Sequence, residues 1–298
     1  MRRSGLAGFG LLAVMLPFAR ADAQQKVNVG HRTTSTVSVR LFAAAGDVKV
    51  IGWDRDSVEM TGVVPKGARV EMGAGAPLTA SQGMKIFVEV PDDVAAREGK
   101  LVLRVPRGAR VWLKTGSADI DITGVTGGID VNIVGGSIAV HGNPRELRAE
   151  SMDGSVTIDG VPEWLRAKTA TGDIMLRGGQ DIGASTISGA IRTTGGEVER
   201  AKLETTTGTI SFTSALARNA SVELETHSGP IEVLLPYRSD VELDAATITG
   251  AIENYWTKAR PIPGRENRGM TMSVPGGMGG GRVVIRSFKG TVLIRGAK

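Results

Sequence analysis

The sequence predicts an all-β protein of β-solenoid-like form, with two short strands per coil, about 18–21 residues per repeat, and an irregular β N-terminal cap. Three observations predict it. One phrase, a glycine followed by alternating apolar residues, recurs nine times; its spacing is nearly constant; and 41 glycines accompany only 4% aromatics. A fixed period near 20 residues marks stacked repeats. A chain that turns often around a thin core needs glycine more than bulk.

In chain order, residues 1–23 read as a signal peptide. "MRR" is the positive start, "GLAGFGLLAVMLPF" the apolar run, and "ARADA" the small-residue cleavage site, with the cut expected after Ala23 and Ala21 as the second choice. That run is too short to span a bilayer, and no later stretch is apolar enough to do so. The mature chain is therefore expected to be exported, periplasmic or secreted, with no transmembrane segment. The sequence has no cysteine, which excludes disulfides, thiol nucleophiles and thiolate metal sites. The formal charge of +5 becomes +3 when Arg2, Arg3, Arg20 and Asp22 leave with the peptide. So small and dispersed an excess does not argue for nucleic acid.

Residues 24–110 hold strand-like stretches such as "VSVRLF", "DVKVIGW", "KIFVEV" and "KLVLRV" without the regular spacing. They are expected to cap the repeat body, because a terminal repeat must shield an open edge. Residues 111–298 are the repeat region. The phrase reads "SADIDI" at Ser117, then "GGSIAV", "DGSVTI", "TGDIML", "SGAIRT", "TGTISF", "SGPIEV", "TGAIEN" and finally "KGTVLI" at Lys289. Its intervals are 18, 18, 18, 17, 19, 21, 21 and 40, and a further copy, "AGDVKV", lies upstream at Ala45. Apolar alternation within each phrase is strand periodicity. A second short strand precedes each glycine, as in "LRAES", "LRAKT", "IGAST" and "VELET".

The position two after the glycine holds Ile120, Ile138, Val156, Ile174, Ile191, Ile210, Ile231, Ile252 and Val292. A column made only of β-branched aliphatics suits an inward stack in which each side chain packs on its own copies. The competing architecture, an antiparallel sandwich of hairpins, is also glycine-rich but does not require so even a spacing or so pure a column. Ala118 replaces the glycine in the first copy, so that turn does not depend on positive φ. The proline- and glycine-rich residues 257–282 are expected to be a mobile loop, after which "VVIRSFKGTVLI" resumes the pattern and is expected to close the stack.

Chemistry-bearing motifs are scarce. His31, His141 and His227 lie far apart in no ligand-spaced motif, and no nucleophile elbow, P-loop or zinc-protease motif occurs. The outward places of the phrase carry no repeated carboxylate, so no metal or other cofactor is expected. Asp119, Asp121, Asp153 and Asp173 are the carboxylates that could approach across neighbouring repeats as a glycosidase pair, although aspartate is also a common turn residue. Trp53, Trp112, Trp164 and Trp256 share no register and promise no sugar-stacking platform. The candidate contact surface is "NYWTKAR", with Tyr255, Trp256, Lys258 and Arg260; the alternative is that Trp256 covers the end of the stack.

The recurring "[ST]-G-[DTA]-I-x-[VL]" phrase, "VKVIGWDRDSVEMTG" (Val48 to Gly62) and the glycine-rich break before "RVVIRSFKGTVLI" together resemble the bacterial putative-adhesin family, envelope β-strand-repeat proteins built on a domain of unknown function. The resemblance covers about residues 35–298. It implies a non-catalytic protein of the cell envelope, a binding, adhesin-like or structural module whose partner is an unidentified envelope or surface protein or polysaccharide. Some relatives accompany envelope-stress regulators, which implies a sensing or accessory role as an alternative. Two further readings are a polysaccharide-active β-helix enzyme and a scaffold that self-associates through exposed ends.

Overall fold

A computed structural model describes residues 24–74, 83–90, 99–236 and 240–297; the expected signal peptide lies outside the described residues. The chain is all-β, and its strands form a single sheet that nearly closes on itself like a barrel. In chain order they begin with β1 (Gln24–Arg32), β2 (Ser38–Ala45), β3 (Asp47–Trp53), β4 (Ser57–Pro65), β5 (Arg69–Ala74), β6 (Gly83–Glu89) and β7 (Lys100–Pro106). The regular region follows with β8 (Arg110–Ser117), β9 (Ile120–Thr123), β10 (Gly128–Gly135), β11 (Ile138–His141), β12 (Glu146–Ser151), β13 (Val156–Asp159), β14 (Trp164–Thr169), β15 (Ile174–Arg177) and β16 (Asp181–Thr186). Then come β17 (Ile191–Thr205), β18 (Ile210–Thr226), β19 (Ile231–Pro236), β20 (Glu242–Thr247), β21 (Ile252–Asn254), β22 (Ile262–Pro263), β23 (Met270–Val274), β24 (Arg282–Ser287) and β25 (Val292–Ala297).

Within the two ladders pairing is parallel, and through the regular region each strand pairs with the next but one. The first ladder runs β6–β2–β8–β10–β12–β14–β16, and the second runs β7–β3–β9–β11–β13–β15. The long β17 and β18 belong to both ladders and join them into one sheet. Partners lie mostly 18 residues apart, as Ile138↔Val156 and Ala149↔Ala167 do. That is why a period in the sequence becomes a column in space.

The expected column forms. Val48, Ile120, Ile138, Val156, Ile174, Ile191, Ile210, Ile231, Val292 and Ile252 are successive register partners, and none is more than 7% exposed. The first ladder adds the inward column Leu113, Val131, Ala149, Ala167, Ala184, Leu203, Leu224 and Ile285. Both ladders bury their alternate residues in one continuous hydrophobic core. Burial of branched side chains against their own copies is the main favourable term.

Between the ladders the chain turns on a Ser/Thr-x-x-Gly unit. The buried hydroxyls of Ser151, Thr169, Thr186, Thr205, Thr226 and Thr247 each accept the N–H of the glycine three residues on, at 2.9–3.2 Å. The glycines are needed for close approach rather than for positive φ. A Cβ on Gly172 would stand 2.0 Å from the Gly154 carbonyl oxygen, and one on Gly154 only 1.4 Å from that of Gly136.

Three features depart from the sequence reading. The two ends of the body are not in chain order. β2 and β3 lie between the repeat of β8 and β9 and that of β6 and β7, so the expected cap continues the same ladders. At the other end β24 and β25 insert between β18/β19 and β20/β21; the segment expected to close the stack is the one before last. Finally, residues 257–282, expected as a loop, carry β22 and β23, and β23 pairs antiparallel with β20 and buries Met272. "MTMSV" is a single short alternation between glycines and prolines, too brief to register as a strand.

Candidate functional site

The outward face of the first ladder carries three parallel rows of side chains. One row reads Ser38, Arg110, Gly128, Glu146, Trp164, Asp181; the next Arg40, Trp112, Asp130, Arg148, Arg166, Gly183; the third begins Phe87, Phe42, Lys114, Asn132, Glu150, Lys168. Residues 18 apart in sequence stand side by side, so the rows carry cross-strand pairs. Asn132 donates to Glu150 at 3.1 Å, and Arg110 approaches Glu146 at 3.6 Å across Gly128.

Glycine interrupts the rows twice. At Gly183 the space is taken by Arg166, whose Nη1 donates to Asp181 at 2.8 Å while Arg200 reaches the other oxygen of that carboxylate, also at 2.8 Å. Burial alone would raise the Asp181 carboxyl; the hydrogen bonds from Arg200 and Arg166 outweigh it and hold the group below the ordinary range.

At Gly128 a hollow of about 550 Å³ remains open, with Trp112 and Trp164 on its walls and Arg40, Asp130 and Arg148 around it. It continues into a second hollow of about 460 Å³ past Arg110 and Gly127. Trp112 meets Phe42 edge-on at 5.0 Å, and Phe42 stacks on Phe87 at 4.9 Å, so the indole is braced. Trp164 is 38% exposed, with the Arg166 guanidinium 4.5 Å from its ring centroid. Burial pushes the Asp130 carboxyl above the ordinary range, with Arg148 opposing and Glu150 adding to the shift. The sequence reading separated these tryptophans because they occupy different repeats and adjacent rows. Register places them on the same face, three strand spacings apart, or roughly 14 Å.

The other residues singled out from the sequence are dispersed. Asp119 accepts the backbone N–H and hydroxyl of Ser137 at 2.8 and 2.6 Å, and Asp173 accepts the Ala190 N–H at 2.8 Å and pairs with Arg192 at 3.1 Å. These bonds lower both carboxyls from the ordinary value, the reverse of what a general acid needs. Asp121 pairs with Lys49 at 3.3 Å, and Asp153 accepts from Thr171 at 3.5 Å. His141 lies 3.8 Å from Asp159, and the His227 ring stacks on Phe288 at 4.8 Å. Trp53 donates to the Ser57 carbonyl at 2.9 Å.

Trp256 is only 7% exposed and donates to the Pro236 carbonyl at 2.9 Å, so it packs into the end of the body. Tyr255 is 64% exposed, and Lys258 and Arg260 are exposed beside it. A larger groove of about 970 Å³ lies where the 3-10 turn Arg265–Asn267 and β23 overhang His227, Ile248 and Phe288. Among the described residues no group of three or more His, Cys, Asp or Glu side chains is placed to hold a metal ion, and no helix is long and apolar enough to cross a membrane.

The fold and this face define the class: an all-β repeat protein with an aromatic and charged hollow on one ladder. No family model and no curated protein matches the chain. Among solved structures it is similar to a putative cell adhesion protein from Clostridium sporogenes, over 92% of this chain and 99% of that one, at 11% identity and a TM-score of 0.23. A putative lipid binding protein from Parabacteroides distasonis aligns over 92% and 97% at 15% identity with a TM-score of 0.43. A putative adhesin from Bacteroides fragilis aligns over 91% and 97% at 10% identity with a TM-score of 0.38.

Proposed function

We propose that the chain is an exported, non-catalytic binding module of the cell envelope, adhesin-like in that it presents a rigid patterned face to an envelope or surface component. On this reading the two ladders are opposite faces of one β-solenoid with two strands per coil. The observation that carries the proposal is the hollow at Gly128, where two braced indoles and several charged groups share one flat face in fixed register. Preformed, mixed aromatic and polar depressions are what binding sites are made of. Purified chain is expected to co-sediment with isolated cell envelopes; chain that stays wholly in the supernatant would count against the proposal.

A second reading, a polysaccharide-active enzyme, is favoured by Asp130, a half-buried carboxyl raised above its ordinary value between Trp112 and Arg148. Release of reducing ends from envelope polysaccharide that disappears in Asp130→Asn would establish it in place of the binding module.

A further inference from the structure

The hollow has a chemistry specific enough to name a ligand class. Each wall offers an aromatic face whose orientation is set by a neighbour: Trp112 by the Phe42–Phe87 pair and Trp164 by Arg166. Such faces take flat apolar surfaces. Between them the floor is Gly128, over which the Arg110 side chain reaches toward Glu146 at 3.6 Å, and the rim is made of groups that bond hydroxyls in pairs: Arg40, Arg110, Arg148, Asp130 and Glu146. Arg40 and Asp130 have no hydrogen bond or ion pair at close range among the described residues, so their bonding capacity is unspent.

A ligand for this surface must combine apolar faces with a rim of hydroxyls and extend along the ladder for about three strand spacings, roughly 14 Å. A pyranose chain has that form: each ring has a C–H face that lies on an indole and hydroxyls that meet carboxylates and guanidiniums. Nucleic acid fits poorly, since Asp130, Glu146 and Glu150 would face its phosphates. A protein partner is disfavoured by Asp130 and Glu146 in the lining, since acidic residues are depleted from protein interfaces.

We propose that the Gly128 hollow binds a pyranose oligosaccharide, with sugar rings stacked on Trp112 and Trp164 and hydroxyls held by Asp130 and the surrounding arginines. The proposal rests on the binding-module reading and adds its ligand class and site.

The test applies the purified chain to an array of neutral and uronate-containing oligosaccharides and measures the affinities of the hits by calorimetry. Binding is expected, and Trp164→Ala should weaken it about tenfold. Gly128→Val should weaken it similarly by filling the floor. The three atoms nearest a Cβ at Gly128 all belong to the flexible Arg110 side chain, at 3.3–3.7 Å, so the added group displaces that side chain rather than backbone, and circular dichroism of the variant checks that the strands are kept. Tyr255→Ala, at the far end, should bind as the parent does. Oligosaccharide binding unchanged in both hollow variants, or lost instead in Tyr255→Ala, would overturn the site. Envelope co-sedimentation with no oligosaccharide bound would overturn the glycan while leaving the binding module standing; failure of both would remove both.

Discussion

Two threonines in one structural column test whether the Ser/Thr-x-x-Gly turn is a source of stability or only a recurrence. Thr169 ends β14 and Thr115 lies two residues before the end of β8, and both are buried, at 7% and 4% exposure. The Thr169 hydroxyl accepts the Gly172 N–H at 3.0 Å and donates to the Gly154 carbonyl at 3.1 Å. The Thr115 hydroxyl is buried without a partner, because its repeat carries Ala118, whose N–H goes to the Gly135 carbonyl. Replacement by the near-isosteric valine therefore removes different things. Thr169→Val leaves a buried backbone N–H unsatisfied and should cost about 2 kcal/mol. Thr115→Val removes an unpaired buried hydroxyl and should be neutral or stabilise by up to about 1 kcal/mol. The same column accepts Ile133 between Thr115 and Ser151, so valine fits it sterically. Guanidinium denaturation followed by circular dichroism should show a lowered midpoint for Thr169→Val and an unchanged or raised one for Thr115→Val, and the melting temperature of Thr169→Val should fall by about 4 °C. Equal shifts in the two variants would refute the assignment of stability to the hydroxyl–glycine bond.

Gly172→Ala should destabilise by about 3 kcal/mol or more in the same assay, since its Cβ would sit 2.0 Å from the Gly154 oxygen and the two repeats would have to separate. Truncation after Gly281 removes β24 and β25 from between two neighbours, so amides of β20 and β21 should lose their hydrogen-exchange protection, although both strands precede the cut. Asp119 and Asp173 have folded-state pKa values below their unfolded ones, so their stabilisation is present above the unfolded value and lost as pH falls through the folded one. Asp119→Asn and Asp173→Asn should accordingly flatten the acid limb of a stability–pH profile. Asp130, whose carboxyl is raised, has the opposite sign: its ionised form disfavours folding above the folded pKa, and Asp130→Asn should raise the denaturation midpoint at pH 7.

The all-β class and the inward column were legible because one physical requirement, a branched side chain packed on its own copy, repeats at the spacing of the strands. The column even extends upstream to Val48, the partner of Ile120. The hydroxyl before each glycine was also written out, in "SMDG", "TATG", "TISG", "TTTG", "THSG" and "TITG", but reading from the glycine forward hid it. The exchange of order at the two ends was not legible. Local alternation says that a segment is a strand, and nothing in "VVIRSF" distinguishes β20 from β18 as its neighbour; both flank it. The hollow escaped for a related reason. Trp112 and Trp164 differ in repeat and in row, and only their 18-residue partners, Asp130 and Glu146, bring them onto one face.

The exchanged ends also bear on how the protein can meet a partner. An unprotected ladder end invites pairing with another chain, and end-to-end stacking is what the scaffold reading requires. Here β6 is covered by antiparallel β5, β7 by antiparallel β4 with β1 beyond it, and β20 by antiparallel β23. The second ladder finishes in β21, a strand of three residues, with Trp256 packed into the body just past it. On the binding-module proposal the recognition surface is the flank of the first ladder, where side chains are held in rows by the same register that builds the core. A ligand site on that flank inherits the rigidity of the fold, and the Gly128 hollow is where the rows part.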